Sequence, residues 1–116
     1  DADCVAFFWA NHHLIVARRH PQRGSIAWMR VSTDGRSEEL IAELHPSRDL
    51  RFWLRFFEQY CLSHPIVDPD ATTLLLSGGL VGGADPEGTP RIWAVPLDGG
   101  RPEEIGAGWF ATFAPR

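Results

Sequence analysis

The sequence is poor in the features that mark several broad protein classes. Its most apolar stretches, such as Val5 to Trp9 and Leu74 to Leu76, stop far short of the roughly 18 residues a membrane-spanning helix needs, so no transmembrane segment is expected. There is no lysine-rich run: the positive side is almost entirely arginine, scattered among acidic residues, and the formal net charge is −4. Without a basic face the chain lacks the electrostatic footprint of a nucleic-acid binder, and nucleic acid is not expected as a ligand. Only two cysteines occur, Cys4 and Cys61. They allow one disulfide, but their apolar, strand-like surroundings favour buried free thiols, and the compartment stays open. The opening Asp-Ala-Asp-Cys lacks the positive segment and apolar stretch of a signal peptide, as a chain that had already lost one would too.

What is present points to strands. A chain of 116 residues, 44% hydrophobic and 22% charged, suits one folded domain. Five Trp, seven Phe, eleven Gly and nine Pro are the balance of many short strands joined by tight turns, so the fold class is expected to be all-β.

A repeat organises those strands. Leu14-Ile15-Val16-Ala17-Arg18, a polar gap, and Ile26 to Ile41 with Asp34-Gly35 and Glu38-Glu39 inside it form one copy. Leu74-Leu75-Leu76-Ser77-Gly78, a longer gap, and Ile92 to Ile105 with Asp98-Gly99 and Glu103-Glu104 form the second. Each Asp-Gly sits between strand-like runs, where glycine accepts positive φ and a two-residue hairpin closes with the right twist. Copy one then has strands near 4–9, 13–19, 25–32 and 38–44, and copy two near 61–67, 72–78, 91–96 and 102–107. The tail 108–114 resembles the first strand of copy one and opens a third unit. The partition is a first blade-like unit over about 4–46, an aromatic connector 47–60, a second unit over about 61–107 and the strand 108–114. The repeat spacing of roughly 60 to 65 residues exceeds the roughly 40 to 50 of common propeller blades, and the connector supplies the excess. Its aromatics, Phe52, Trp53, Phe56, Phe57 and Tyr60, fall at offsets that suit a helical turn as well as a strand.

These residues resemble the TolB-like β-propellers, whose blades carry a strand, Ser-Pro-Asp-Gly, a second strand, and an Ile-Trp strand ending in Asp-Gly-Gly. The matching stretches are Ile66-Val67-Asp68-Pro69-Asp70-Ala71 before Thr73-Leu74-Leu75-Leu76, and Ile92-Trp93-Ala94-Val95-Pro96-Leu97-Asp98-Gly99-Gly100, with Phe56 to His64 also similar. Asn11-His12-His13 replaces the turn motif in copy one, and Ala71 replaces the turn glycine in copy two. The resemblance implies antiparallel four-stranded propeller blades, about two of them, serving as a scaffold for proteins or peptides, commonly outside the cytoplasm, in the periplasm for bacterial members. A closed propeller needs at least about four such blades, so the chain is expected to be a fragment, with self-association or missing blades covering its open faces.

No catalytic constellation is expected. Neighbours on a strand point to opposite faces, which argues against His12-His13 sharing a metal and against Ser63, His64 and Asp68 acting as a triad. Glu38-Glu39 and Glu103-Glu104 recur at the same place in each copy, which marks blade surface rather than a carboxylate pair for glycoside hydrolysis. The glycine-rich stretch 78–88 lacks the Gly-Lys-Ser/Thr ending of a phosphate-binding loop and reads as an irregular hairpin. No metal and no cofactor is expected. The residues singled out for a partner are Trp53, Phe57, Tyr60, His64, Leu80 and Val81; the first three lie in the aromatic run Phe52 to Tyr60, which serves either as core packing between blades or as an exposed recognition edge, and His64 lines a channel or donates a hydrogen bond to a neighbouring blade. The function expected is a non-enzymatic protein-binding or scaffold module, the alternative an accessory propeller segment of a serine peptidase or hydrolase with its catalytic domain elsewhere.

Overall fold

A computed structural model describes residues 4–10, 12–81 and 90–113. The strands are β1 (Cys4–Ala10), β2 (His13–Arg19), β3 (Ile26–Val31), β4 (Glu38–Pro46), β5 (Thr73–Leu80), β6 (Arg91–Pro96) and β7 (Glu103–Ala107). Two helices, α1 (Arg48–Arg55) and α2 (Phe57–Ser63), lie between β4 and β5. Strands dominate, as an all-β composition requires, and each pairs antiparallel with its sequence neighbour in one open seven-stranded sheet.

The repeat is visible in the ladder. β2 meets β3 at Leu14↔Val31 and Val16↔Met29, and β5 meets β6 at Leu74↔Val95 and Leu76↔Trp93, the same register with β2 advanced by 60 positions and β3 by 64. The four-residue difference is the extra length of the β5–β6 connection, 81–90, over the β2–β3 connection, 20–25. The hairpins β3–β4 and β6–β7 agree as closely, for each is bulged, between Trp28 and Met29 in one and Ile92 and Trp93 in the other. The extra residue is Ile41 in β4 and Ile105 in β7.

Both Asp-Gly pairs lie in hairpins, with Gly35 at φ +72° and Gly99 at φ +90°. The connections are six residues long, 32–37 and 97–102, not two. The aspartates favour the longer form: Asp34 Oδ1 accepts from the Ser32 hydroxyl and the Arg36 N–H, and Asp98 Oδ1 from the Gly100 N–H.

Three sequence expectations require correction. The strand near 61–67 begins as helix, since Cys61 to Ser63 close α2. The spacing of Trp53, Phe57 and Cys61 makes an apolar stripe on a helix, and burying it outweighs an extended pairing. What survives is a stub, Ile66 to Asp68, held on β5 by the Val67↔Leu74 bridge and by the Leu75 N–H to the Ile66 carbonyl at 2.8 Å. The segment 108–113 is not a strand; its Phe113 N–H bonds the Pro65 carbonyl and its Trp109 carbonyl takes the Ser47 hydroxyl, while residue 114 lies outside the described residues. Finally, the two units share one sheet instead of standing as separate four-stranded blades, because β4 pairs with β5 at Leu44↔Leu80, His45↔Gly79 and Pro46↔Gly78. That junction needs Gly78: its φ is +145°, and a Cβ there would sit 2.1 Å from the His45 carbonyl oxygen.

Ser47 caps α1, its hydroxyl accepting from the Leu50 N–H at 3.2 Å, with Asp49 in the first turn and Arg55 in the last, both suited to the helix dipole. Leu50, Trp53 and Leu54 face inward and join Ile15, Trp28, Leu44, Ile66, Leu74, Leu76 and Val95 in the core. Each of these large side chains contributes roughly 1.5–3 kcal/mol on burial. Helix α1 is thereby fixed on the sheet, and everything on its opposite side is presented to solvent.

Candidate functional site

The outer side of the two helices is aromatic and basic. With Leu50, Trp53 and Leu54 committed to the core, the helical period turns Arg48, Arg51, Phe52 and Arg55 outward, and Phe56 follows at the break before α2. Phe52 is 55% exposed and Phe56 40% exposed. Steps of four residues then carry a ladder of rings along the surface. Phe52 to Phe56 measures 5.0 Å between centroids, Phe56 to Tyr60 6.5 Å, and Tyr60 to His64 5.4 Å. Such tilted and edge-on contacts lie in the favourable range for aromatic pairs and hold the rings in place. At the helix break, Arg55, Phe56, Phe57, Glu58 and Gln59 line a depression of about 350 Å³.

The six residues expected from sequence divide among three places. Trp53 is buried at 2% exposure, with its indole Nε1–H donating to the His64 carbonyl at 2.9 Å, so it anchors the face from below. Phe57 is half-buried and turns away from the ladder to pack on Phe7 of β1 at 5.4 Å. Tyr60, half-buried, and His64, exposed, belong to the ladder. Leu80 and Val81 are half-buried at the β4–β5 junction, Leu80 opposite Leu44 and packed against the core, and the Val81 N–H on the Glu43 carbonyl; neither belongs to the ring ladder. Phe52 and Phe56, which belong to the expected aromatic run but not to the six residues singled out from it, carry the exposure. The signal was the phase: Leu50, Trp53, Leu54, Phe57 and Cys61 form the inward stripe, which leaves positions 52, 56, 60 and 64 outside.

A second concavity, about 670 Å³ in volume, opens between the end of β1 and the stub on β5, lined by Phe8, Trp9, Trp53, Leu62, Ile66 and Val67 among others. Asp68 lies at its rim, but its carboxylate is occupied: Oδ1 accepts from the Thr72 and Thr73 N–H groups and Oδ2 from the Thr72 hydroxyl. Burial pushes the Asp68 carboxyl up, yet these hydrogen bonds prevail and hold it below its ordinary value.

Ser63 and His64 differ from the strand expectation. At the end of α2 the Ser63 hydroxyl and His64 Nδ1 lie 2.9 Å apart, because a helix terminus, unlike a strand, brings successive side chains together. Asp68 completes no triad, its oxygens being engaged as described. His12 and His13 are exposed at the β1–β2 turn, and among the described residues no group of three or more His, Cys, Asp and Glu is placed to hold a metal ion. Cys4 and Cys61 are free thiols. No described helix is long and apolar enough to cross a membrane. Compared with known proteins, the chain matches no family model, no curated protein and no solved structure.

Proposed function

We propose that this chain is a non-enzymatic protein-binding or scaffold module, built of two TolB-like repeat units and engaging its partner through the outer side of α1 and α2. The observation that carries the reading is the exposed ladder Phe52, Phe56, Tyr60 and His64 beside Arg51 and Arg55 on a helix anchored by Trp53. Aromatic and arginine side chains dominate interface hot spots because they bury large areas with few rotamers to freeze. Phenylalanines left this exposed bury only part of their surface in the fold they stand on. The TolB-like part is supported by the two three-stranded meanders of one register, each ending in a bulged, Asp-Gly hairpin.

The test is selection of a displayed random peptide library against the intact chain. Enriched peptides should lose binding to a Phe52→Ser/Phe56→Ser variant of unchanged circular dichroism. Enrichment indifferent to that variant would move the binding surface elsewhere, and no enrichment would end the reading.

A further inference from the structure

We infer that the first partner of this face is a second copy of the chain, docking the edge strand β7 through Glu103, Glu104 and Ile105 onto Arg51, Phe52, Arg55 and Phe56 of its neighbour. The inference rests on the protein-binding reading above and names the occupant of that surface.

Charge complementarity carries the argument. The insert 47–64 holds Arg48, Arg51 and Arg55 against Asp49 and Glu58, so it is one positive in a chain of formal net −4. Arg48 lies near Asp49 at 3.8 Å, whereas Arg51 and Arg55, one helical turn apart, make no ion pair among the described residues. The matching acidic pair is Glu103-Glu104. By register the counterpart of Glu103 is Glu39, which Arg30 occupies, and Glu104 stands where the first unit has Leu40, so the two Glu-Glu pairs are offset by one position and do not recur at the same place. In the second, Glu103 makes no ion pair among the described residues, and Glu104 has only a loose 3.7 Å approach to the half-exposed Arg91.

The apolar part is argued from the repeat. Ile41 and Ile105 are the extra residues of equivalent bulges, yet Ile41 is 6% exposed within the core while Ile105 is 55% exposed. An isoleucine at a position whose twin is buried, flanked by two under-used carboxylates on a free sheet edge, has the composition of an interface anchor. Phe52 and Phe56 offer the apolar side of the contact, and the depression at the helix break offers room for the anchor. Nucleic acid fits this face poorly, because a phosphate chain would meet a net negative protein with few arginines to neutralise it. Because the two patches differ, the contact is head-to-tail, and association proceeds beyond a dimer unless a ring closes.

Sedimentation equilibrium of the intact chain at rising concentration tests this. The expected result is a mass that rises with concentration and falls back as salt goes from about 0.05 M to about 0.5 M, where surface charges are screened. Arg51→Glu/Arg55→Glu and Glu103→Arg/Glu104→Arg should each weaken association at least about tenfold. Mixing the two variants should restore it, since each then meets a complementary patch. A monomer up to roughly 1 mM, or association that salt leaves unchanged or strengthens, overturns the inference even if a variant fails to fold. Restoration absent from a mixture of two folded variants overturns it as well. Peptide enrichment on the Phe52/Phe56 face with no self-association leaves the protein-binding reading standing and removes this one, and binding of a single-stranded oligonucleotide at the same face would count against both.

Discussion

The two units of the sheet share a ladder and differ in how they begin. In the first, β1 runs along β2 from Cys4 to Ala10, with one irregularity near its start. In the second, the equivalent strand is cut to the stub Ile66 to Asp68, and the chain before it is wound into α1 and α2. The bulge and the register of the remaining three strands are untouched by that change. A β-meander is held by backbone bonds between neighbours and by cross-strand pairs, so its register survives loss of an outer strand. The freed edge of β5 is then divided between the stub and β4, which joins the units, and the helices supply both a lid for the core and a new outer face. Binding potential in this chain arises where the repeat is broken.

The junction between units is the place to break the comparison most severely. Gly78→Ala puts a Cβ against the His45 carbonyl at a φ that side chains rarely adopt, so a loss of about 3 kcal/mol is expected. Urea unfolding monitored by tryptophan fluorescence would show it; a loss under about 1 kcal/mol would mean that β4 and β5 are not held as described.

The stub comes next. Asp68 ties the turn to the start of β5 through two N–H groups and a hydroxyl, and Asp68→Ala should cost about 1–2 kcal/mol. Because the carboxyl is held below its ordinary 3.8, its contribution is complete above that value and is lost as pH falls through the lower folded value. The variant should therefore differ from the parent near neutrality and converge with it in strong acid. A difference that persists at the lowest pH would assign the effect to packing instead.

An ion pair also distinguishes the units. The Arg18 guanidinium reaches across β3 to Glu38 with two 2.8 Å bonds, whereas the equivalent positions in the second unit are Gly78 and Pro102. That pairing raises the Arg18 pKa and lowers that of Glu38. With the side chains 31% and 41% exposed, solvent screening limits the coupling to about 0.5–1 kcal/mol in a double-mutant cycle, falling with added salt. A coupling indistinguishable from zero at low salt would show that the pair merely decorates the sheet.

Much of the sheet was legible in the chain, and the reasons are local. Asp34-Gly35 and Asp98-Gly99 mark hairpins by turn chemistry, and Leu14 to Val16 and Leu74 to Leu76 mark equivalent strands by composition. The joining of the units was not legible, because the β4–β5 contact is three residue pairs between segments separated by two helices, and no local pattern encodes it. The face on α1 and α2 was half legible. Its aromatics stood out, but Trp53 and Phe57 were singled out where Phe52 and Phe56 carry the exposure, since assigning ring to core or surface requires the helical phase and the sequence alone left strand and helix both open. The glycine-rich stretch lies largely in 82–89, outside the described residues.

The smallest effect bears on the TolB-like resemblance itself. In the turn Asp68 to Ala71, closed by the Ala71 N–H on the Asp68 carbonyl at 3.0 Å, Ala71 adopts φ +55°, the one positive value at a non-glycine among the described residues. This is the position where the Ser-Pro-Asp-Gly pattern has glycine. An L-residue there costs about 1–2 kcal/mol, of which glycine's greater freedom in the unfolded chain returns a part. Ala71→Gly should therefore stabilise the protein by about 0.5–1 kcal/mol, a rise visible in the urea midpoint at unchanged slope. A glycine that destabilised this turn would mean that the backbone at Ala71 is not left-handed, and with it the correspondence between this turn and the family motif would fall.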